Sequence, residues 1–289
     1  MNGILLIDKP ADWTSMDVCA KLRGALKEKK IGHSGTLDPM ATGLLVVFLG
    51  RATRAVEFAE ADRKTYIAGL RLGLATDTQD VSGTAISEKE VNVTPEQLEA
   101  ALVKHRGDIA QIPPMYSAIK INGQKLYDIA RKGREVERKP RAVTIYDLEK
   151  IGEENGDALL RVTCSKGTYI RTLCHDIGAS LGCGGCMSSL RRTHAGAFSL
   201  EQAHTLSSVL AAAENGTAEQ FLLSVDTLFA DAEKLKLTPA QEKVIRNGGR
   251  FTCRKAQGHY RLYSESGEFL ALAEIVDGFM KSIKSFYEV

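Results

Sequence analysis

Hydrophobic and polar positions follow two rhythms along this chain. Gly3 to Asp8 is a short apolar run closed by Lys9-Pro10, the pattern of a buried strand. Thr14 followed by Asp17 predicts a capped helix start. Val18, Leu22 and Ala25 then form one apolar stripe that ends near Lys27 to Lys30. A second apolar run reaches Leu49, and Arg51 to Ala61 predicts a short helix. From Lys64 to Gly73 the period becomes two: Tyr66, Ala68, Leu70 and Leu72 alternate with Thr65, Ile67, Gly69 and Arg71, which predicts a strand. Thr94-Pro95-Glu96-Gln97 combines a cap, a proline at the first helical position and a glutamine that completes the box.

Residues 106–125 read as irregular, broken by Pro113-Pro114, and Leu126 to Lys132 as a short basic helix before Gly133. Val143 to Ile151 and Ala158 to Cys164 predict strands joined by a polar turn. Ile170, Leu173, Ile177 and Leu181 share a helical face stopped by Gly182, and helical patterns return from Glu201 to Ala213. A boundary is expected near Ala230. Beyond it, Thr238-Pro239-Ala240-Gln241 opens another capped helix. The short alternating segments Phe251 to Lys255, Tyr260 to Ser264 and Glu268 to Val276 then predict a small β-barrel.

The stretch from Gly32 to Leu45 fits neither rhythm. It holds three glycines, one histidine, one proline and a single carboxylate, Asp38, and runs directly into buried sequence. Gly32, Gly35 and Gly43 allow backbone conformations that bring a loop close to a ligand. Pro39 biases Asp38 towards an extended conformation. A nucleophile elbow is excluded because Gly35 follows Ser34 directly, and a P-loop is excluded because no Gly-Lys-Ser/Thr closes the stretch. On local chemistry alone a plain turn and a catalytic loop are equally good readings.

Composition changes the picture in two places. The net charge is only +2, but Lys120 to Arg141 carries eight basic residues against three acids, a concentrated footprint suited to a polyanion. The six cysteines are dispersed, as in reduced thiols, and Cys183-Gly184-Gly185-Cys186 has zinc-ligand spacing with Cys174 and His175 nearby. A structural zinc site needs a second such pair, which the chain lacks, so no metal is expected. Met1-Asn2-Gly3 leads into an apolar run too short for a signal peptide, and nothing approaches a membrane span. A cytoplasmic protein is expected.

The Gly32 to Leu45 stretch closely resembles the catalytic-aspartate motif of the TruB family of tRNA pseudouridine synthases. The resemblance continues through Lys64-Thr65-Tyr66, Thr76-Asp77-Thr78-Gln79-Asp80 and Pro113-Pro114-Met115-Tyr116-Ser117-Ala118. It extends to Lys166-Gly167-Thr168-Tyr169-Ile170-Arg171 and Ser189-Leu190-Arg191-Arg192-Thr193. The resemblance implies a mixed α/β (α+β) pseudouridine synthase fold with a largely antiparallel central sheet flanked by helices. It implies a catalytic domain over residues 1–230, an RNA-gripping insertion at about 106–141, and a PUA-like RNA-binding β-barrel over 231–289.

It further implies cofactor-free isomerisation of uridine 55 in the T-arm loop of tRNA. Asp38 would be the catalytic carboxylate and Arg171 the cation that keeps it ionised in a closed pocket. Tyr66 would stack on the extracted uracil, Tyr169 and Leu190 would line its pocket, and His33 would displace the target nucleotide. Lys9 and Lys64 match recurrent lysines of the family and could meet phosphate. The expected partner is tRNA, bound by a monomer with no obligate protein partner. Two rivals differ in class. A non-catalytic RNA chaperone would have no use for an intact Asp38, Tyr66 and Arg171. Most nucleoside and glycoside hydrolases of this kind need paired carboxylates, and no obvious partner for Asp38 stands in the matching motifs.

Overall fold

Thr14 caps the first helix in the way its spacing predicts. Its hydroxyl accepts from the Asp17 N–H at 3.0 Å, and the Asp17 carboxylate accepts from the Thr14 N–H at 3.0 Å. In this computed structural model, which describes residues 1–59, 63–117, 119–121 and 123–288, the capped helix is α1 (Ser15–Leu26) and follows β1 (Gly3–Lys9). Next come β2 (Ile31–Ser34), β3 (Thr42–Leu49) and the 3₁₀ segment Gly50–Ala59. Ala61, expected in that helix, and Ala118 of the Pro113-to-Ala118 motif lie outside the described residues.

The chain continues through β4 (Arg63–Leu72), the hairpin β5 (Leu74–Thr76) and β6 (Ala85–Glu88), α2 (Pro95–Lys104) and β7 (Gly107–Gln111). The hairpin β8 (Lys120–Ile121) and β9 (Gln124–Lys125) leads into α3 (Leu126–Ala130). Then follow β10 (Arg141–Glu154), β11 (Asp157–Ser165), α4 (Ile170–Ser180), β12 (Gly185–Ala195) and β13 (Phe198–Ser199). The last stretch holds β14 (His204–Thr205), α5 (Leu206–Glu214), β15 (Leu222–Leu223), β16 (Glu233–Lys236) and α6 (Pro239–Arg246). It closes with β17 (Phe251–Thr252), β18 (His259–Tyr263), β19 (Phe269–Val276) and β20 (Phe279–Ser285).

Two compact units result. One comprises residues 1–38, 45–60 and 202–289; the other comprises 39–44 and 61–201. In the first, β1 lies between β14 and β3, with β15 also on β1 and β2 also on β3. Leu5, Ile7, Leu45, Val47 and Leu49 of these strands pack against Val18 and Leu22 of α1 and Val209 of α5. This unit also holds the C-terminal sheet, in the order β16-β18-β19-β20-β17, with its own core around Ile245, Tyr260, Leu262, Leu270 and Met280.

In the second unit Thr42–Leu44 of β3 begin the order β3-β12-β4-β11-β10-β7. Gly43 sits at φ 96°, and a Cβ there would lie 2.4 Å from the Arg192 carbonyl, so this glycine serves the close approach of two backbones rather than a ligand. Around β10 and β7 the chain adds the insertion, whose small core joins Met115, Leu126 and Ile129.

Two expectations are corrected. The sheet is mixed, not largely antiparallel: β1 pairs with β14 and β3 with β12 in parallel. Parallel neighbours need long crossovers, and those separating β3 from β12 and β1 from β14 run through most of the fold, so local patterning could not reveal them. The C-terminal sheet is an open half-barrel, its path ending on β16 and β17, which do not pair with each other among the described residues. β17 has only two residues and offers too little ladder for closure.

Candidate active site

Asp38 lies half-buried on the bend between β2 and β3. Its chain neighbour Leu37 is buried, and a single hydroxyl satisfies both of Leu37's backbone polar groups. Ser15 Oγ accepts from the Leu37 N–H at 2.9 Å and donates to the Leu37 carbonyl at 3.2 Å. Ser15 is itself buried in the first turn of α1. The residue before Asp38 is thus anchored to a capped helix, and Pro39 after it restricts the Asp38 backbone. Ser15→Ala leaves two backbone groups without this partner, so a loss of about 1–3 kcal/mol is expected by urea denaturation. An unchanged midpoint would show that the bend holds itself without the hydroxyl.

His33 is half-buried on β2, opposite Val47 of β3. Lys9 is fully buried at the end of β1, and its ammonium donates to the Pro10 carbonyl at 2.8 Å and the Trp13 carbonyl at 2.6 Å. It ties down the chain that leads to the α1 cap.

In the other unit, register explains which side chains share a face. Tyr66 lies opposite Val162 of β11 and Arg192 of β12, and Ala68 lies opposite Leu190. Directly opposed residues point to the same side, so Tyr66, Leu190 and Arg192 occupy one buried face. Arg192 Nε donates to the Leu44 carbonyl at 2.7 Å, holding β12 against Thr42–Leu44. Lys64, two residues before Tyr66, is half-buried between Cys164 and Ala195.

Tyr169 and Arg171 flank the start of α4, and Arg171 is 6% exposed, so it is no surface ion-pair residue. Its guanidinium donates to the Tyr116 carbonyl at 2.8 Å and the Thr78 carbonyl at 3.2 Å, and Nε stands 3.8 Å from an Asp80 carboxylate oxygen. Asp80 is equally buried; its other oxygen accepts from the Thr78 hydroxyl at 2.8 Å and the Ser82 N–H at 3.0 Å. Thr172 Oγ1 donates to Gln79 Oε1 at 2.8 Å, and Gln79 holds φ at 65°. Gln111, at the end of β7, accepts from the Tyr169 N–H at 3.0 Å and donates to the Tyr169 carbonyl at 3.2 Å.

Asp80 stands in the Thr76-to-Asp80 motif, which by itself gives it no role, and neither Ser15 nor Gln111 is evident from the sequence. The motif was the available signal for Asp80. Ser15 and Gln111 act across 22 and 58 residues of chain, and nothing in their local sequence marks them.

Cys183 lies just before β12 and Cys186 at its start, both buried. Burial pushes the Cys186 thiol up to about 11 and raises that of Cys174 further, which disfavours the thiolate a metal would need. Among the described residues no three His, Cys, Asp or Glu side chains are grouped to hold a metal ion. No helix among them is long and apolar enough to cross a membrane.

Residues 23–170 match the model of the N-terminal domain of TruB family pseudouridylate synthases, and residues 171–230 match the tRNA pseudouridylate synthase B C-terminal domain. The chain belongs to the TruB family. A tRNA pseudouridine synthase B of Syntrophomonas wolfei is 44% identical over 95% of this chain and 93% of its own length. One of Azoarcus sp. strain BH72 is 44% identical over 97% of this chain and 93% of its own. Among solved structures, a chain in the crystal structure of a Cbf5–Nop10–Gar1 complex superposes with a TM-score of 0.73 at 26% identity, covering 99% of this chain and 85% of that one. The TruB matches take in Asp38, Tyr66, Asp80 and Gln111 in the first domain, and Arg171 and Leu190 in the second.

Proposed function

We propose that this chain isomerises uridine 55 in the T-arm loop of tRNA to pseudouridine, with Asp38 as the catalytic carboxylate and without a cofactor. The observation that carries this reading is the TruB match through residues 23–230, joined to relatives named tRNA pseudouridine synthase B over nearly their whole length. Isomerisation breaks the C1′–N1 bond of the nucleoside and forms a C1′–C5 bond. A proton leaves C5 and another is taken up at N1. The change balances without an oxidant, a reductant or a phosphoryl donor.

Each residue then has a task. An ionised Asp38 can attack C1′, add to the uracil ring or remove a sugar proton, and each route needs its backbone held still. His33 takes the place of the extracted nucleotide, whose unstacking costs a few kcal/mol. Tyr66 offers a ring face to the freed base, while Tyr169 and Leu190 supply apolar walls. Arg171 supplies buried positive charge, and Lys64 and Lys9 are the lysines proposed to meet phosphate. Arg131, Lys132, Arg134 and Lys139, all exposed, grip the T-arm from the insertion. Residues 231–289 serve as a PUA-like second grip. The protein acts as a cytoplasmic monomer with no obligate protein partner.

Incubation with a T-arm stem-loop tests the reaction. The product should keep its mass while one uridine becomes resistant to carbodiimide removal. Release of free uracil would instead identify a hydrolase, and unchanged RNA a binding protein.

The tail makes a separate prediction. Removing residues 231–289 should raise KM with kcat nearly preserved, because binding common to ground and transition states is lost. Affinity should also fall less steeply with salt. The cut uncovers Phe229, whose ring lies 6.2 Å from Phe269 and 6.1 Å from Phe286, so some loss of solubility is expected as well. A soluble truncated protein with normal RNA affinity and reduced kcat would assign the tail to catalysis instead.

A further inference from the structure

We propose that Gln111 is a positioning residue for the first turn of α4, and through it for Tyr169 and Arg171. Tyr169 is the N-cap of α4, with φ −101° and ψ 110°, and has no side-chain cap bond. In that extended conformation its own N–H points away from the helix ladder and needs a separate acceptor. Gln111 Oε1 provides it at 3.0 Å. The same amide donates through Nε2 to the Tyr169 carbonyl at 3.2 Å, an oxygen that also accepts from the Leu173 N–H at 3.0 Å. One side chain therefore closes a ring on both peptide groups of a single residue, as a neighbouring strand would.

Three features make this more than a packing contact. Gln111 is 1% exposed, so water cannot readily take over either bond. It is the last paired residue of β7, opposite Arg141, where the strand of the insertion gives way to the Pro113-Pro114 segment. Five residues later the Tyr116 carbonyl holds Arg171. The first part of the insertion thus grips the start of α4 twice, once on Tyr169 and once on Arg171. A shift of an ångström at this turn would move both groups together, and displacements of that size cost about 100-fold in rate.

This inference rests on reading the start of α4 as part of the substrate site, so its test carries a control for that reading. Gln111→Met fills nearly the same volume and makes neither hydrogen bond. Gln111→Glu keeps an acceptor for the Tyr169 N–H and loses the donor. With a T-arm stem-loop, single-turnover rates at saturating enzyme should fall about 10- to 100-fold for Gln111→Met. Gln111→Glu should lie between that value and the unsubstituted protein, and RNA affinity should hardly change for either. A Gln111→Met rate within about twofold of normal, or a loss confined to affinity, would overturn the proposal. If Gln111→Met does not fold, Gln111→Glu decides by the same two criteria. Arg171→Lys runs alongside: a normal rate there would overturn the reading of α4, whereas a slow Arg171→Lys with a normal Gln111→Met overturns only the positioning role.

Discussion

Asp38→Asn is expected to yield a folded protein that binds the T-arm and forms no pseudouridine. The substitution keeps the side chain's size and one carbonyl oxygen, so the half-buried bend between β2 and β3 should retain its packing. The anchor on the preceding residue involves the Leu37 backbone and Ser15, neither of which changes. What disappears is the negative charge, and with it any nucleophile or base at that position. Each proposed route loses its reacting atom, so turnover should fall by at least about 10⁴-fold. The check is single-turnover product formation on a T-arm stem-loop beside direct RNA binding. Substantial product from a pure preparation would remove Asp38 from the chemistry.

Arg171→Lys should be almost as severe, with a loss of about 100-fold or more in kcat. The guanidinium donates to the Tyr116 and Thr78 carbonyls while Nε faces Asp80 at 3.8 Å. A planar fork reaches these three directions at once; an ammonium is a compact point charge that cannot. Asp80→Asn complements it by removing the charge while keeping an acceptor for Thr78 and Ser82. Breaking a buried ion pair from one side commonly costs about 3–5 kcal/mol. The 3.8 Å separation and the surviving hydrogen bonds place Asp80→Asn at or below the lower end of that range. Chemical denaturation reads this directly. A stable Asp80→Asn protein with normal kcat would show that the guanidinium keeps its place without the Asp80 charge.

Much of the chain was legible before folding. The capping boxes at Thr14, Thr94 and Thr238 start the helices where predicted, because a cap is satisfied within four residues of chain. The alternation around Tyr66 likewise gave β4 its buried face, since a two-residue period is local geometry. β12 was not read, although it is central to its sheet. Register shifts near Ser189 and His194 break its alternation, and the fully buried Arg192 disguises a core position as a surface one. Gly107–Gln111 was read as irregular because five residues carry too little pattern to stand against the neighbouring prolines. His33 belongs by sequence to the glycine-rich stretch, yet it lies on β2, whose four residues only become a strand by pairing with β3.

The candidate site divides along the same line. The sequence by itself determined the residue types, the motif order and the stiff, glycine-rich approach to Asp38. The tertiary structure decided what holds them. Leu37 is fixed from Ser15, Arg171 by Thr78, Asp80 and Tyr116, and Tyr169 by Gln111. It also set the Lys9 ammonium against the Pro10 and Trp13 carbonyls. Local sequence encodes turns and helix caps because their hydrogen bonds close over a few residues. The bonds that immobilise a buried side chain close over tens of residues, and they exist only after the sheet has set its register.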